Sequence, residues 1–394
     1  MDDAEEARTI GRRVKQIRNA RDKSLRVVAQ LAGLSKTKLH RIETGQRALD
    51  SRSEIAALAN ALQVAPSDLM ATLSIPAPAN GDTDMAVEQV RLALMAVGRG
   101  RPGGQVVSVE ELRARARAVE DADYHSRGAA LPGLIRDLHS TLAAGRDVTE
   151  LLDLAVLMHT QTTRGWLYIT GAPLDLRREV ATLALQTAQY RDEPTALGIA
   201  AWGGVIEMLA AGAFDLAQEE LDSVTVPTNS SESMQLAGML ALSRSLVAAA
   251  KRQPADVEAA LDYAGELAER TGQGNAYLMG FGPTNVGLWQ MAASLEVGDH
   301  EHVIAIAERL NPREHPSRER QATYWMDYGR AQAHLRGRRD GAVRALRTAE
   351  ELFPMRVLRN PFAREAIAVL LPGAKRDAVG RELRGMAYRA GLPV

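Results

Sequence analysis

The chain has 394 residues, too many for one ordinary hydrophobic core at roughly 100 to 200 residues per domain, so two or more units are expected. It holds no cysteine, which excludes disulfides, thiolate nucleophiles and cysteine-ligated zinc; aromatics are only 4 %, while Ala, Leu and Arg recur at helical spacing. The formal net charge of −1 hides a basic block: residues 8–52 carry 13 Lys or Arg against 3 acids, a local balance of +10. Such a block is the footprint of a polyanion partner, because each cation set against a phosphate releases counterions; a solvated charged face is the alternative. The first residues are acidic where a signal peptide would be basic and then apolar, and no apolar run approaches the roughly 18 residues of a membrane span. A cytoplasmic protein with no membrane partner is expected.

In chain order, Ile10, Val14 and Ile17 recur at four and three residues and predict a first helix from Thr9 to about Arg21. Ser24 is placed to cap a second helix, Leu25 to Ala32, which Gly33 ends. Ser35 caps a short third helix, Lys36 to about Glu43, with Leu39 and Ile42 facing inward. A fourth helix from about Ser53 to Leu62 and a fifth starting at Pro66 complete a compact bundle.

Two short helices joined by a turn holding glycine make a helix-turn-helix, whose second helix can enter the major groove. The runs from Ile10 to Arg21, Val28 to Ser35, Leu39 to Arg47 and Ile55 to Val64 resemble the phage-repressor-like, or xenobiotic-response-element (XRE), family over residues 9 to about 73. That resemblance implies double-stranded DNA as partner and a recognition helix from Ser35 to Glu43, with Lys36, Thr37, Arg41 and Lys38 toward base edges. Lys and Arg suit guanine O6 and N7, and Thr a thymine methyl or polar edge. By the same resemblance Ser24, Ser35, Thr44, Gln46 and Arg47 hold phosphates, with Leu25 departing from the polar residue often found at its position. Arg18 and Glu43 fall where the family often holds a structural ion pair. His40 is read as a solvent or backbone contact.

Residues 74–84 combine proline, glycine and small polar groups without apolar periodicity and mark a linker between a first unit, 1–73, and a second, 85–394. A helix from about Met85 to Val97 follows. The glycine-rich run 98–104 lacks the preceding strand and the Gly-Lys-Ser/Thr ending of a phosphate-cradling loop, so it is read as a flexible connector. Further on, turns at Gly212, Pro254, Gly298 and Gly337, spaced 42, 44 and 39 apart, each lead into a helix with a small or branched residue five on: Ala217, Ala259, Val303 and Ala342. This pattern resembles tetratricopeptide (TPR) repeats, in elongated form, over about residues 147–390. The fold expected is therefore all-α: a five-helix repressor-like domain followed by a TPR-like α-solenoid with a concave binding face.

Candidate liners of that face are Asn285 and Trp289 first, because Gly282-Pro283 breaks the helix beside them and Thr284 could cap the restart. Trp166, Trp202, Tyr324, Trp325 and Tyr328 follow, with His159 and Thr163; for each, core packing is the competing reading. Nothing reads as a metal or catalytic motif, so no enzyme activity and no cofactor are expected. Two functions remain: a transcriptional regulator whose TPR-like part forms a homodimer and senses a peptide or small-molecule effector, or an interaction adaptor or antitoxin-like component whose repeats bind a protein.

Overall fold

The structure is a computed structural model that describes residues 9–70, 81–392 and 394, and among these every regular element is a helix. The amino-terminal bundle holds α1 (Ile10–Ala20), α2 (Leu25–Leu31), α3 (Lys36–Glu43), α4 (Arg52–Leu62) and α5 (Pro66–Met70). Their starts are set by side-chain caps: Thr9, Ser24, Ser35 and Ser51 each accept from a backbone amide three residues on, satisfying one of the orphan donors of a first turn. Ile10, Val14, Leu39, Ile42 and Leu58 close the interior with no exposure.

Residues 74–80 of the expected linker lie outside the described residues. Its end is helical: α6 (Gly81–Gly98) starts four residues earlier than the apolar pattern suggests. Asp82 and Asp84 lie in its first turn, where acidic side chains favour the positive end of the helix dipole. There follow α7 (Val109–Asp121), α8 (Tyr124–Ala143), α9 (Val148–Leu157), a π-helical turn (Met158–Thr163), α10 (Arg164–Ile169) and α11 (Leu174–Arg191). The glycine-rich run is not a free connector, because it is bound along α8. Gly104 donates to Ser140, Gln105 to Asp137 and Val107 to Thr141, while Arg136 donates to the Pro102 carbonyl. A Cβ on Gly104 would lie 2.4 Å from the Arg136 backbone, so glycine here permits close approach.

The solenoid continues through α12 (Pro194–Ala211), α13 (Phe214–Asp222), α14 (Ser231–Ala250), α15 (Pro254–Thr271), α16 (Pro283–Val297), α17 (His300–Ala307), α18 (Arg318–His334) and α19 (Arg339–Leu352). Each of α12, α14 and α16 packs on the next helix and on the one after it, so α12, α14, α16 and α18 form an inner layer and α13, α15, α17 and α19 an outer one. The outer helices follow the four turns anticipated from sequence, three of them at glycines with positive φ: Gly212, Gly298 and Gly337. Ala217, Val303 and Ala342 are fully buried, whereas Ala259 is exposed and Ala264, one and a half turns later, packs in its place. By length and mean hydropathy α12 passes for a membrane span, contrary to the expectation that no apolar segment would, but half of it is buried against neighbouring helices. Helices α20 (Pro354–Leu358), α21 (Pro361–Leu370) and α22 (Ala378–Arg389) close the chain.

The first bundle does not stand apart from the rest. Its core residues Ile10, Leu39 and Leu58 belong to one apolar cluster with Met326, Phe362 and Ile367 of α18 and α21. Three buried acidic side chains complete the junction. Glu365, on α21 and fully buried, accepts from the amides of Ile10 at 2.8 Å and Leu49 at 3.2 Å. Glu296, at the end of α16, accepts from the Ser51 hydroxyl at 2.9 Å and the amides of Arg52 and Ser53 at 3.1 and 2.8 Å, so it caps α4 from another part of the chain. Asp50 lies against His334 and Arg330 of α18, at 3.2 and 3.6 Å. Burial opposes its charge, but His334 and Arg330 outweigh burial and hold the carboxyl below the usual range.

Burial pushes the Glu365 carboxyl up to about 8 despite its two amide donors. Glu365→Ala leaves both amides buried without an acceptor and is expected to cost about 2 to 4 kcal/mol in urea unfolding. Because the folded pKa is raised above the ordinary 4.5, the protonated group contributes its full stability below that value. The contribution is lost as pH rises through about 8, so melting temperature should fall more between pH 5 and 9 in the native chain than in Glu365→Gln.

Candidate DNA-binding surface and central cavity

Helix α3 buries Leu39 and Ile42 against α1 and α2 and leaves Lys36, Thr37, His40 and Arg41 exposed on its far side. Ser35 caps its start by accepting from Lys38 at 3.1 Å, and the Thr44 hydroxyl closes its end on the His40 carbonyl at 2.9 Å. Ser24 and Gln46 are exposed on either side, while Arg47 is half-buried with its Nε lacking an acceptor. Lys38 differs from its neighbours: it is half-buried and its ammonium is already paired with Glu54 of α4. Arg18 donates to both oxygens of Glu43, at 2.7 and 2.8 Å, and to the Lys23 carbonyl at 3.0 Å. The hydrogen bond to Glu43 raises the Arg18 pKa, and the bidentate geometry fixes the tilt of α3 on α1. The exposed cations Lys15 and Arg26 extend the basic face beyond α3.

A cavity of about 850 Å³ opens between the inner solenoid layer, α10, α11 and α21. Its wall includes Arg52, Ile55, Pro66 and Met70 of the first bundle, so α4 and α5 form one side. Three sequence candidates are there: Asn285, Trp289 and Trp202. Asn285 is fully buried and its Oδ1 accepts from Arg320 at 3.1 Å and 2.5 Å. Gly282 starts α16 without a side-chain cap, and the Thr284 hydroxyl accepts from Gln273 instead of capping.

The other candidates lie in packing positions. Trp166 is in the core between α8 and α10, its indole donating to the Tyr124 carbonyl at 2.7 Å. The Tyr324 hydroxyl donates to the Ala307 carbonyl at 2.8 Å, and Trp325 and Tyr328 pack with it in an aromatic cluster. His159 sits in the π-helical turn with its Nε2 2.8 Å from that of His139. Burial lowers both imidazoles, His139 to about 4, which favours a neutral pair. Sequence reasoning missed the cavity arginines and the docking carboxylates. One signal for the latter is Arg364-Glu365, a charged pair inside the apolar run of α21.

An all-α chain that presents a capped, basic helix from a helix-turn-helix bundle is a DNA-binding protein by fold and surface. Residues 9–73 match the helix-turn-helix domain family, a match that supports a DNA-binding regulator. No curated protein and no solved structure matches the chain.

Arg41→Ala is expected to weaken specific DNA binding by about 1 to 3 kcal/mol without changing the melting temperature. Equal loss on random and specific duplexes in an anisotropy titration would reduce Arg41 to a phosphate contact. Arg18→Ala leaves Glu43, only 4 % exposed, without its main partner and should destabilise the fold by about 3 kcal/mol in chemical denaturation.

Proposed function

We propose that the protein is a sequence-specific transcriptional regulator of the XRE type, in which a TPR-like solenoid forms a homodimer and senses a peptide or small-molecule effector. The observation that carries this reading is the position of the first bundle. Its recognition helix faces outward with Lys36, Thr37 and Arg41 exposed, while its α4 and α5 wall the central cavity. An occupant of the cavity therefore touches the DNA-binding unit directly, and any preference it has for one placement of α4 becomes a change in DNA affinity. Lys36, Thr37 and Arg41 read bases; Ser24, Ser35, Thr44, Gln46 and Arg47 hold phosphates; Lys38 serves the α3–α4 contact first, through Glu54. The proposal places the protein in the cytoplasm, requires no cofactor and assigns no catalytic step.

Footprinting the purified chain on the DNA upstream of its own coding sequence tests this at moderate salt. A two-fold dimer should protect paired half-sites about 10 base pairs apart, centre to centre, or a multiple of that. Uniform protection, indifferent to sequence, would contradict the reading.

A further inference from the structure

The central cavity has a marked charge imbalance. Ten arginines line it against five acidic residues, of which Asp327 is paired with Arg330 at 2.8 Å; from outside the lining, Asp50 also meets Arg330 at 3.6 Å and Asp84 meets Arg359 at 3.4 Å. Glu207, just behind the wall, serves both Arg164 and Arg177, at 3.2 and 3.0 Å. Glu296 meets Arg52 at 3.3 Å while also accepting from the first amides of α4. Glu319 is 3.9 Å from Arg356, and Arg320 is bound to a neutral amide, Asn285.

Titratable groups in the wall are shifted by burial and by the neighbouring arginines. Tyr168, with Arg356 and Arg177 over its ring at 5.3 and 5.4 Å, has its phenol lowered first of all by Arg356. Burial and then Arg356 lower Arg320 to about 10; burial and then Arg320 lower His315 to about 4. The apolar part of the wall includes Trp202, Trp289, Leu246 and Leu288. Both indole nitrogens are buried donors without an acceptor, as is Arg177 Nε. The wall is thus rich in donors and cations and short of acceptors, in a volume suited to a small molecule.

We propose that this cavity is the binding site of a small organic anion with two or more negative charges, phosphate or carboxylate, and an apolar or aromatic body. Arg320, Arg356, Arg177 and Arg52 bind its oxyanions, for which guanidinium offers paired donors. Trp202 and Trp289 line the space for its body. Because Arg52 opens α4, the ligand joins the solenoid to the DNA-binding bundle. This assignment gives a chemical class to the effector of the regulator reading and rests on that reading for its biological meaning.

The full chain is titrated without DNA, at constant ionic strength, with pyrophosphate and with citrate, using glucose and spermidine as neutral and cationic controls. Calorimetry should show saturable binding of at least one anion, which tells phosphate from carboxylate chemistry, and melting should rise on the order of 3 °C at about 100 times Kd. Arg320→Gln and Arg356→Gln should each weaken binding about tenfold or more, and the exposed Arg336→Gln should not. Arg320 also donates to the buried Asn285 Oδ1, so the melting temperature of Arg320→Gln without anion is read beside its affinity: a variant that melts within a few degrees of the native chain and binds more weakly has lost binding and not folding. The proposal is overturned if neither anion binds better than sodium chloride, or if Arg320→Gln binds as the native chain does. With no DNA present, failure here leaves the footprint test standing, and failure of the footprint leaves the binding result standing.

Discussion

Glu296 and Glu365 each reach backbone amides more than 240 positions away, and the placement of the amino-terminal bundle depends on those contacts. A helix start leaves its first amides without partners, and α4 meets that need with Ser51 from its own chain segment and with a carboxylate from α16. Glu365 does the same for the amides of Ile10, at the head of α1, and Leu49, in the segment before α4. Leaving buried amides or carboxylates unpaired is costly, so the bundle has one favourable seat on α16, α18 and α21. The apolar cluster shared by α1, α3 and α4 with α18 and α21 adds affinity; the polar contacts add orientation.

From this seat follow both surfaces of the bundle. Lys36, Thr37 and Arg41 are exposed and lie outside the cavity wall, while Arg52, Ile55 and Met70 help complete it. Under the proposed reading, one bundle reads DNA with α3 and closes the pocket with α4 and α5, so no long relay is needed between the two. Helix α4 connects them through Lys38–Glu54 on the α3 side and Arg52–Glu296 on the solenoid side.

The amino-terminal bundle was legible in the sequence because its code is local. Ser24 and Ser35 sit one residue before their helices, Leu39 and Ile42 keep helical period, and Pro66 opens α5, so each element could be placed from a few neighbouring residues. The solenoid was legible at its turns, where glycine is needed for positive φ, but less so at its crossings: α15 turns Ala259 to solvent and buries Ala264, about 140° round the helix, and only the neighbouring helices decide which side is covered. Of the aromatic candidates, Trp202 and Trp289 reached the cavity and Trp166 and Tyr324 reached cores, a distinction that helical period alone cannot make. The arginine lining escaped because arginine is common throughout this chain, and the cavity gathers its members from α4, α8, α10, α11, α18, α20 and α21, far apart in sequence. The docking carboxylates escaped for the same reason: nothing near Glu365 in sequence announces Ile10 as its partner.

Buried acidic side chains of α16 and α21 hold the amino-terminal bundle on the solenoid by its backbone amides. Native-state hydrogen exchange on the full chain, resolved to individual amides, tests it most directly. The amides of Ile10, Leu49, Arg52 and Ser53 should exchange as slowly as the core of α18, and in Glu365→Ala the first two should lose protection while the α18 core keeps it. Fast exchange of all four amides in the native chain, with α18 still protected, would contradict it.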